Sequence, residues 1–309
     1  MATQVVRQIH KSAQTPSHSW RDRLPGQGQW TPYLFVLPTL ILILVIAIYP
    51  MLDSIHISLL NNPLIAHPRF VGLRNYGRIL IDPVFQLAFK TTLIFAVCSV
   101  VLETIFGLGI ALLINQTFPG RGLVRTVILV PWAFPTVVSA QMWLLMYNDQ
   151  TGVITYLLQM FHLLGPGTTL LGTSAGVIFA SVITDVWKTT PFMALLILAG
   201  LQVIPTEMYE ASDVDGTTRW QRFFYITLPL LKRPLMIALL FRALDAIRVF
   251  DLFYVFGLRS VPSLASYANL KMFAGTAYDF APGVAVAVIV FLIGIVVSLL
   301  LVPMMRDNT

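Results

Sequence analysis

Glu210-Ala211-Ser212, then three residues, Gly216, then nine residues, then Ile226-Thr227-Leu228-Pro229, is the stretch on which the reading of this chain turns. It lies inside a polar segment, residues 205–229, between two long apolar runs. The segment's first half is acidic (Glu207, Glu210, Asp213, Asp215), whereas Arg219 and Arg222, continued by Lys232 and Arg233, make its second half basic. Pro205 suits a first helical turn, and acidic side chains favour a helix N-terminus. Asp215-Gly216 reads as a helix stop with a left-handed or tight-turn residue. A second short helix is expected from about Thr218, with Pro229 opening the next apolar helix.

Composition decides what surrounds the segment. Of 309 residues, 57% are hydrophobic and 11% charged, with a mean hydropathy of +0.78. A soluble domain carries roughly 25% charged residues. The chain therefore reads as an all-α polytopic membrane protein, and at ~20 residues per span plus loops its length suits six transmembrane helices. Ten-residue alternating segments, the mark of a β-barrel, do not occur. The net charge of +6 does not point to nucleic acid, because the basic residues sit at the ends of apolar runs and not in one patch. Cys98, the single cysteine, excludes an internal disulfide and is expected to be a buried, inert thiol. The first apolar run follows Trp30 and ends in Pro50-Met51-Leu52-Asp53 without a small-residue cleavage site, which predicts a retained span.

Spans are expected at about 32–51, 87–114, 127–147, 174–204, 230–256 and 283–304, forming a domain over 30–309 after a polar tail at 1–29. Lys and Arg in the connecting segments set orientation. One side collects eleven, from the tail, 117–126, 205–233 and Arg306; the other collects five, Arg69, Arg74, Arg78, Arg259 and Lys271. That places both termini and the 205–229 loop in the cytoplasm.

Polar residues inside the spans form two sets. The fifth span carries Arg242, Asp245, Arg248 and Asp251, alternating in sign at i, i+3 spacing, where helix neighbours meet. The fourth carries Asp185, Trp187, Lys188, Thr189, Thr190 and Phe192, with Asp185 and Lys188 again three apart. Such charges are expensive in lipid and face the bundle interior or a water-filled cavity. Two readings stay open: ion pairs that lock helices together, or a solute cavity in which carboxylates and guanidinium meet hydroxyls while Trp187, Phe192 and Phe250 offer ring faces. The charges sum near zero, which favours a neutral polyol or sugar over an anion. Glu103 reads as a helix–helix hydrogen-bond partner. Tyr147, with Gln141 and Trp143, reads as a pathway wall or an aromatic-belt anchor. The five histidines lack ligand spacing, and no metal site is expected.

The spacing E-A-(A/S)-x3-G-x9-I-x-L-P resembles the cytoplasmic coupling loop of permease subunits of binding-protein-dependent ABC importers. Here all its fixed positions are filled, with Ser212 where Ala is usual. The strings Val186-Trp187-Lys188-Thr189-Thr190-Pro191-Phe192, 240–251 and Phe70-Val71-Gly72-Leu73-Arg74-Asn75-Tyr76 are similar to those of sugar-type permeases, of the trehalose, maltose and glucosylglycerol kind. The last string is given no role beyond an interfacial segment. The resemblance covers roughly 30–305. It implies a type I importer permease fold in a bacterial or archaeal inner membrane, and makes Glu207, Glu210, Ala211, Ser212, Gly216, Ile226, Leu228 and Pro229 the coupling residues. No G-x-x-x-x-G-K-[ST] motif occurs, so ATP and Mg are expected on a partner ATPase dimer, with no cofactor on this chain. The resemblance also implies an extracytoplasmic solute-binding protein and a second permease subunit, related or identical. Membrane lipid would surround the assembly. Rival readings are a permease for another small solute, such as a phosphorylated polyol, and a secondary transporter using the Asp/Arg ladder as an ion relay.

Overall fold

The computed structural model describes residues 31–305 except 66, 166, 258–259 and 276–278. The expected tail, Arg259 and Arg306 lie outside the described residues. The chain divides into two compact units, 1–53 and 54–309.

In the first unit α1 (Thr31–Ile43) passes through a π turn, Leu44–Ile48, into α2 (Tyr49–Ser58), which runs on into the second unit. Together Tyr33–Ser58 is long and apolar enough to cross a bilayer. The helix was expected to end near Pro50 but continues through it. A proline has no N–H and its ring clashes with the carbonyl four residues back. The extra residue of the π turn lets Tyr49 donate to the Leu44 carbonyl, five back, just before the proline.

In the second unit, α3 (Arg74–Leu80) precedes α4 (Pro83–Asn115), 33 residues capped by Asp82, whose Oδ1 accepts from the Val84 amide at 2.8 Å. The F-x-G-L-x-N-Y string is structural. Asn75 donates to the carbonyls of Ser58 and Leu60, each at 2.8 Å, and the Tyr76 hydroxyl lies 2.6 Å from Ser58 Oγ, so the string pins the chain that leaves α2. Cys98 is exposed on α4 and is not the buried thiol expected.

The expected third span is broken into α5 (Arg121–Ile128), α6 (Val130–Ala133) and α7 (Thr136–Met146), with an 86° bend at Phe134-Pro135. Proline disfavours helical backbone at the residue before it, and Phe134 is extended, with ψ 139°. Tyr147 is buried, its hydroxyl 3.2 Å from both the Ala180 carbonyl and Thr184 Oγ1, so it packs the core and neither lines a pathway nor anchors at the interface. After α8 (Val153–Met160), α9 (Ser174–Leu201) forms the centre, packed along α4 and buried over most of its length.

Beyond α9 come α10 (Thr206–Val214), α11 (Arg219–Arg222), a second π turn at Phe223–Thr227 and α12 (Leu228–Ile247). Pro229 does not open a span. Leu228 donates to the Phe223 carbonyl, the device seen before Pro50, and the chain is helical from 219 to 247. The expected fifth span, 230–256, stops at Ile247; Arg248–Phe250 are not helical, and α13 (Asp251–Phe256) starts anew. α14 (Leu264–Asn269), a π turn at Leu270–Ala274 and α15 (Phe280–Leu301) complete the unit.

Among the described residues four helices are long and apolar enough to span, five if the bent pair counts as one. The expected span outside that count is the fifth, α12, 20 residues that carry Lys232, Arg233, Arg242 and Asp245. At the end of the bundle where α4 begins, Tyr267 on α14 donates to Asp82 Oδ2 at 2.6 Å. Lys271 Nζ lies 3.6 Å from carboxylate oxygens of both Asp82 and Asp279.

Candidate functional site

The 206–229 segment has defined ends. Gly216 has φ +68°, in the left-handed region that only glycine enters readily. Its amide donates to the Asp213 carbonyl and the Thr217 amide to the Ser212 carbonyl, each at 3.1 Å, which is the full Schellman closure of a helix C-terminus. Ser212 is buried and donates to the Tyr209 carbonyl at 2.7 Å, so the small residue faces inward. Thr218 and Gln221 form a capping box, and Arg222 pairs with Asp213, stapling α11 to α10. Glu207, Glu210, Ala211 and Gly216 are exposed, as is Pro229, while Ile226 and Leu228 are half-buried. Val214 (89% exposed) and Met208 add apolar surface to α10 that no other described residue covers.

Deeper in the bundle, Arg242 on α12 meets three carboxylates. Its guanidinium donates to Glu103 on α4, to Asp185 on α9 and, at 2.8 Å from Nη1, to Asp245. Thr189 Oγ1 adds a 2.5 Å bond to Glu103. Glu103 is fully buried and Arg242 nearly so, while the Asp245 side chain is 64% exposed. This knot joins α4, α9 and α12, and Glu103 is the helix–helix partner expected of it. Beside the knot lies a cavity of about 140 Å3 at the break between α12 and α13. Asp185, Lys188, Arg242, Asp245, Arg248, Phe250 and Asp251 line it, with Thr136, Thr189 and Phe95. Irregular backbone at membrane depth needs protein or water to satisfy it. Here the Val249 carbonyl, freed by the break, accepts from buried Ser263 Oγ at 2.6 Å.

Arg242 and Asp185 do both: they pair across helices and they line the cavity. Arg242, Asp185 and Glu103 lock helices together; Lys188, Asp245, Arg248 and Asp251 offer charge to the cavity. The i, i+3 ladder is realised only at Arg242–Asp245, because the helix ends before Arg248, whose Nε donates to the Leu244 carbonyl at 3.2 Å. Asp185 pairs with Arg242 rather than Lys188. Three candidates lie off the cavity. Trp187 meets Trp143 edge-on at 5.6 Å, Phe192 stacks on Trp132 at 5.3 Å, and Thr190 is buried. Phe95, Thr136 and Ser263 carried no signal in the sequence, since the first two are brought to the cavity only by packing. Among the described residues no group of three or more His, Cys, Asp or Glu side chains is arranged for a metal ion.

Residues 103–303 match the family model of the binding-protein-dependent transport system inner membrane component. The chain is 43% identical to a trehalose/maltose transport system permease protein of Thermococcus litoralis, over 84% of this chain and 88% of that one. It is 37% identical to a trehalose transport system permease protein of Mycobacterium tuberculosis, over 84% and 83%. With a sulfoquinovosyl glycerol transport system permease protein of Agrobacterium fabrum it shares 33% identity, over 89% and 90%. A crystal structure of a bacterial alginate ABC transporter, in complex with an alginate pentasaccharide-bound periplasmic protein, contains a chain of like fold. The TM-score is 0.74 and the identity 23%, over 90% of this chain and 94% of that one. A helical bundle crossing the membrane, a capped polar segment with an open face and a match over more than half the sequence lead to one assignment: the chain belongs to the family of binding-protein-dependent transport system inner membrane components.

Proposed function

We propose that this chain is one wall of the solute path in an ATP-driven sugar importer, and that α10 takes the stroke of ATP hydrolysis from a separate subunit. The observation that carries the reading is the helical run from 219 to 247. At 1.5 Å per residue it is a rod of ~43 Å. One end is stapled to α10 through Arg222 and Asp213; the other presents Arg242 and Asp245 to the polar cavity. Movement of α10 against an ATPase subunit reaches the cavity along this rod without crossing a loop. Glu207, Glu210, Ala211 and Val214 form the docking face, Gly216 and Ser212 shape it, and Ile226, Leu228 and Pro229 sit at the joint. ATP and Mg then belong to an ATPase dimer facing α10 from the cytoplasm, and both termini of this chain lie on that side of the inner membrane. A second permease subunit completes the path and an extracytoplasmic binding protein delivers the solute.

Two observations support a sugar. Relatives are named for trehalose, maltose and a sulfoquinovosyl glycoside. The cavity combines carboxylates and guanidinium groups with the rings of Phe250 and Phe95, the mixture that hydroxyls and a pyranose face require. Ligand pockets run from about 300 Å3 upward. A cavity of about 140 Å3 is therefore too small for a disaccharide in this conformation, so the path is shut here or shared with the second permease.

The test is labelled-trehalose and labelled-maltose uptake into proteoliposomes holding the whole complex, with Glu210→Arg and a Gly216 series. Expected are uptake that needs ATP, its loss in Glu210→Arg, and a Gly216 order of Asn near wild type, Ala reduced and Val lowest. The order follows because space around Gly216 is open and only its φ restricts the substituent. Uptake that ignores ATP and follows an ion gradient would overturn the proposal.

A further inference from the structure

Between the end of α2 and the start of α4 the chain carries cations without a counter-charge. Residues 59–81 contain Arg69, Arg74 and Arg78 but no Asp or Glu. The three arginines are exposed, and among the described residues their guanidinium groups make no ion pair or hydrogen bond. The first carboxyl that follows, Asp82, is engaged by Tyr267 and Lys271. α3 itself has three sides. Asn75 and Ile79 are buried, and the helix packs on α15. At 3.6 residues per turn Leu73 and Leu80 fall on a second side and Arg74 and Arg78 on a third, the sides roughly 100–130° apart. Leu73 (72% exposed) and Leu80 are open, as is Ile81 at the helix end. We infer that α3 lies flat in the membrane interface, with Leu73 and Leu80 toward the acyl chains and with Arg74 and Arg78 holding the phosphate of one anionic phospholipid.

The neighbouring helix sets the level. Lys90 is exposed on α4, seven residues in and about 10 Å from Pro83 along the axis. The exposed side chains beyond it, Leu93, Ile94, Val97 and Val101, are apolar. A lysine at that point reaches back to the headgroups, so the hydrocarbon begins near it. α3 ends two residues before α4 and therefore stands at headgroup level. Basic residues at a membrane face attract anionic headgroups, and a helix with one apolar and one basic flank lies in the interface. The apolar side is what favours lipid over protein. A binding protein that docks and leaves in each cycle would return Leu73 and Leu80 to water, whereas lipid covers them throughout. The inference needs only that the bundle spans a membrane, and its test does not use transport.

The experiment attaches bimane to Leu73→Cys in a Cys98→Ser background and places the assembled transporter in phosphatidylcholine nanodiscs. A minor fraction of the lipid carries a doxyl quencher high on its acyl chain, on phosphatidylglycerol in one set and on phosphatidylcholine in the other. Quenching is expected in both sets, with a clear excess from phosphatidylglycerol. Arg74→Gln and Arg78→Gln should each weaken that preference about fivefold, the effect of one interfacial charge. Gly77→Ala, where the space around the glycine is open, should leave it unchanged. Basal ATPase of each complex checks assembly. No quenching in either set would mean that protein covers α3, and equal quenching that the arginines select nothing; either overturns the inference. So does quenching that disappears when the solute-loaded binding protein is added.

Discussion

Arg242 belongs at once to the packing of three helices and to the wall of the cavity. Its guanidinium satisfies Glu103, Asp185 and Asp245 at once, two of them deep in the bundle. Removing one partner of a buried pair leaves an uncompensated charge and costs about 3–5 kcal/mol. Arg242→Ala is therefore expected to lower the thermal midpoint of the purified complex by on the order of 10 °C. Asp245→Asn, whose side chain stays mostly open, should shift it little while reducing uptake. Equal thermal losses in the two variants would show that Asp245 is as structural as its partners. Asp82 permits a separate test at the far end of the bundle. Partial burial pushes its carboxyl up, but the Tyr267 hydroxyl, the Val84 amide and the Lys271 ammonium outweigh it and hold the group below its ordinary value. A depressed carboxyl contributes stability above its unfolded pKa of ~3.9 and loses it as pH falls through the folded value. The thermal gap between wild type and Asp82→Asn should stay level from about pH 8 to pH 5 and close below about pH 4. A gap that widens in acid would mean that the neutral carboxyl makes the better bonds.

At the level of elements, local rules were legible where one residue decides the outcome. Pro205, Asp215-Gly216 and Thr218 bound α10 and α11 as their chemistry dictates. Pro229 was not legible, because a proline in a first helical turn and one just after a π turn look alike in sequence. The end of α12 was hidden for another reason: apart from Asp251 apolar residues continue through 249–256, and the group that caps the freed Val249 carbonyl, Ser263, lies fourteen residues on. Side-chain direction was lost too. Lys188 reaches the cavity while its neighbour Trp187 meets Trp143, since successive helical residues face different ways. The break predicts its own weakness. Ser263→Ala orphans a buried carbonyl, at a cost of about 1–3 kcal/mol, and removes the cap of α14. Amides of 252–257 should then exchange hydrogen roughly tenfold or more faster, with those of α9 unchanged. Exchange equal to wild type would show that another donor, or water, replaces the hydroxyl.

Across the whole molecule, the arrangement separates a surface that packs the bundle from one that opens onto the polar cavity. α9 is buried by its own chain, but α4 presents Cys98 outward, while Asp245 and Arg248 face the cavity at the end of the rod. In a membrane the first surface meets lipid or protein and the second meets water, so a water-soluble thiol reagent tells them apart. Wild type carries its own control in its single cysteine. A charged maleimide is expected to leave Cys98 untouched in the assembled transporter and to label Asp245→Cys. Trapping the ATPase with ATP and vanadate should change the rate of that labelling several-fold, because the rod links α10 to the cavity wall. The proline at its joint decides how rigidly. Pro229→Ala restores the N–H, removes the reason for the π turn at 223–227, and should reduce the response to trapping while leaving labelling without nucleotide intact. If Asp245→Cys labels identically in both states, the rod does not carry the stroke, and coupling must travel through α9 instead.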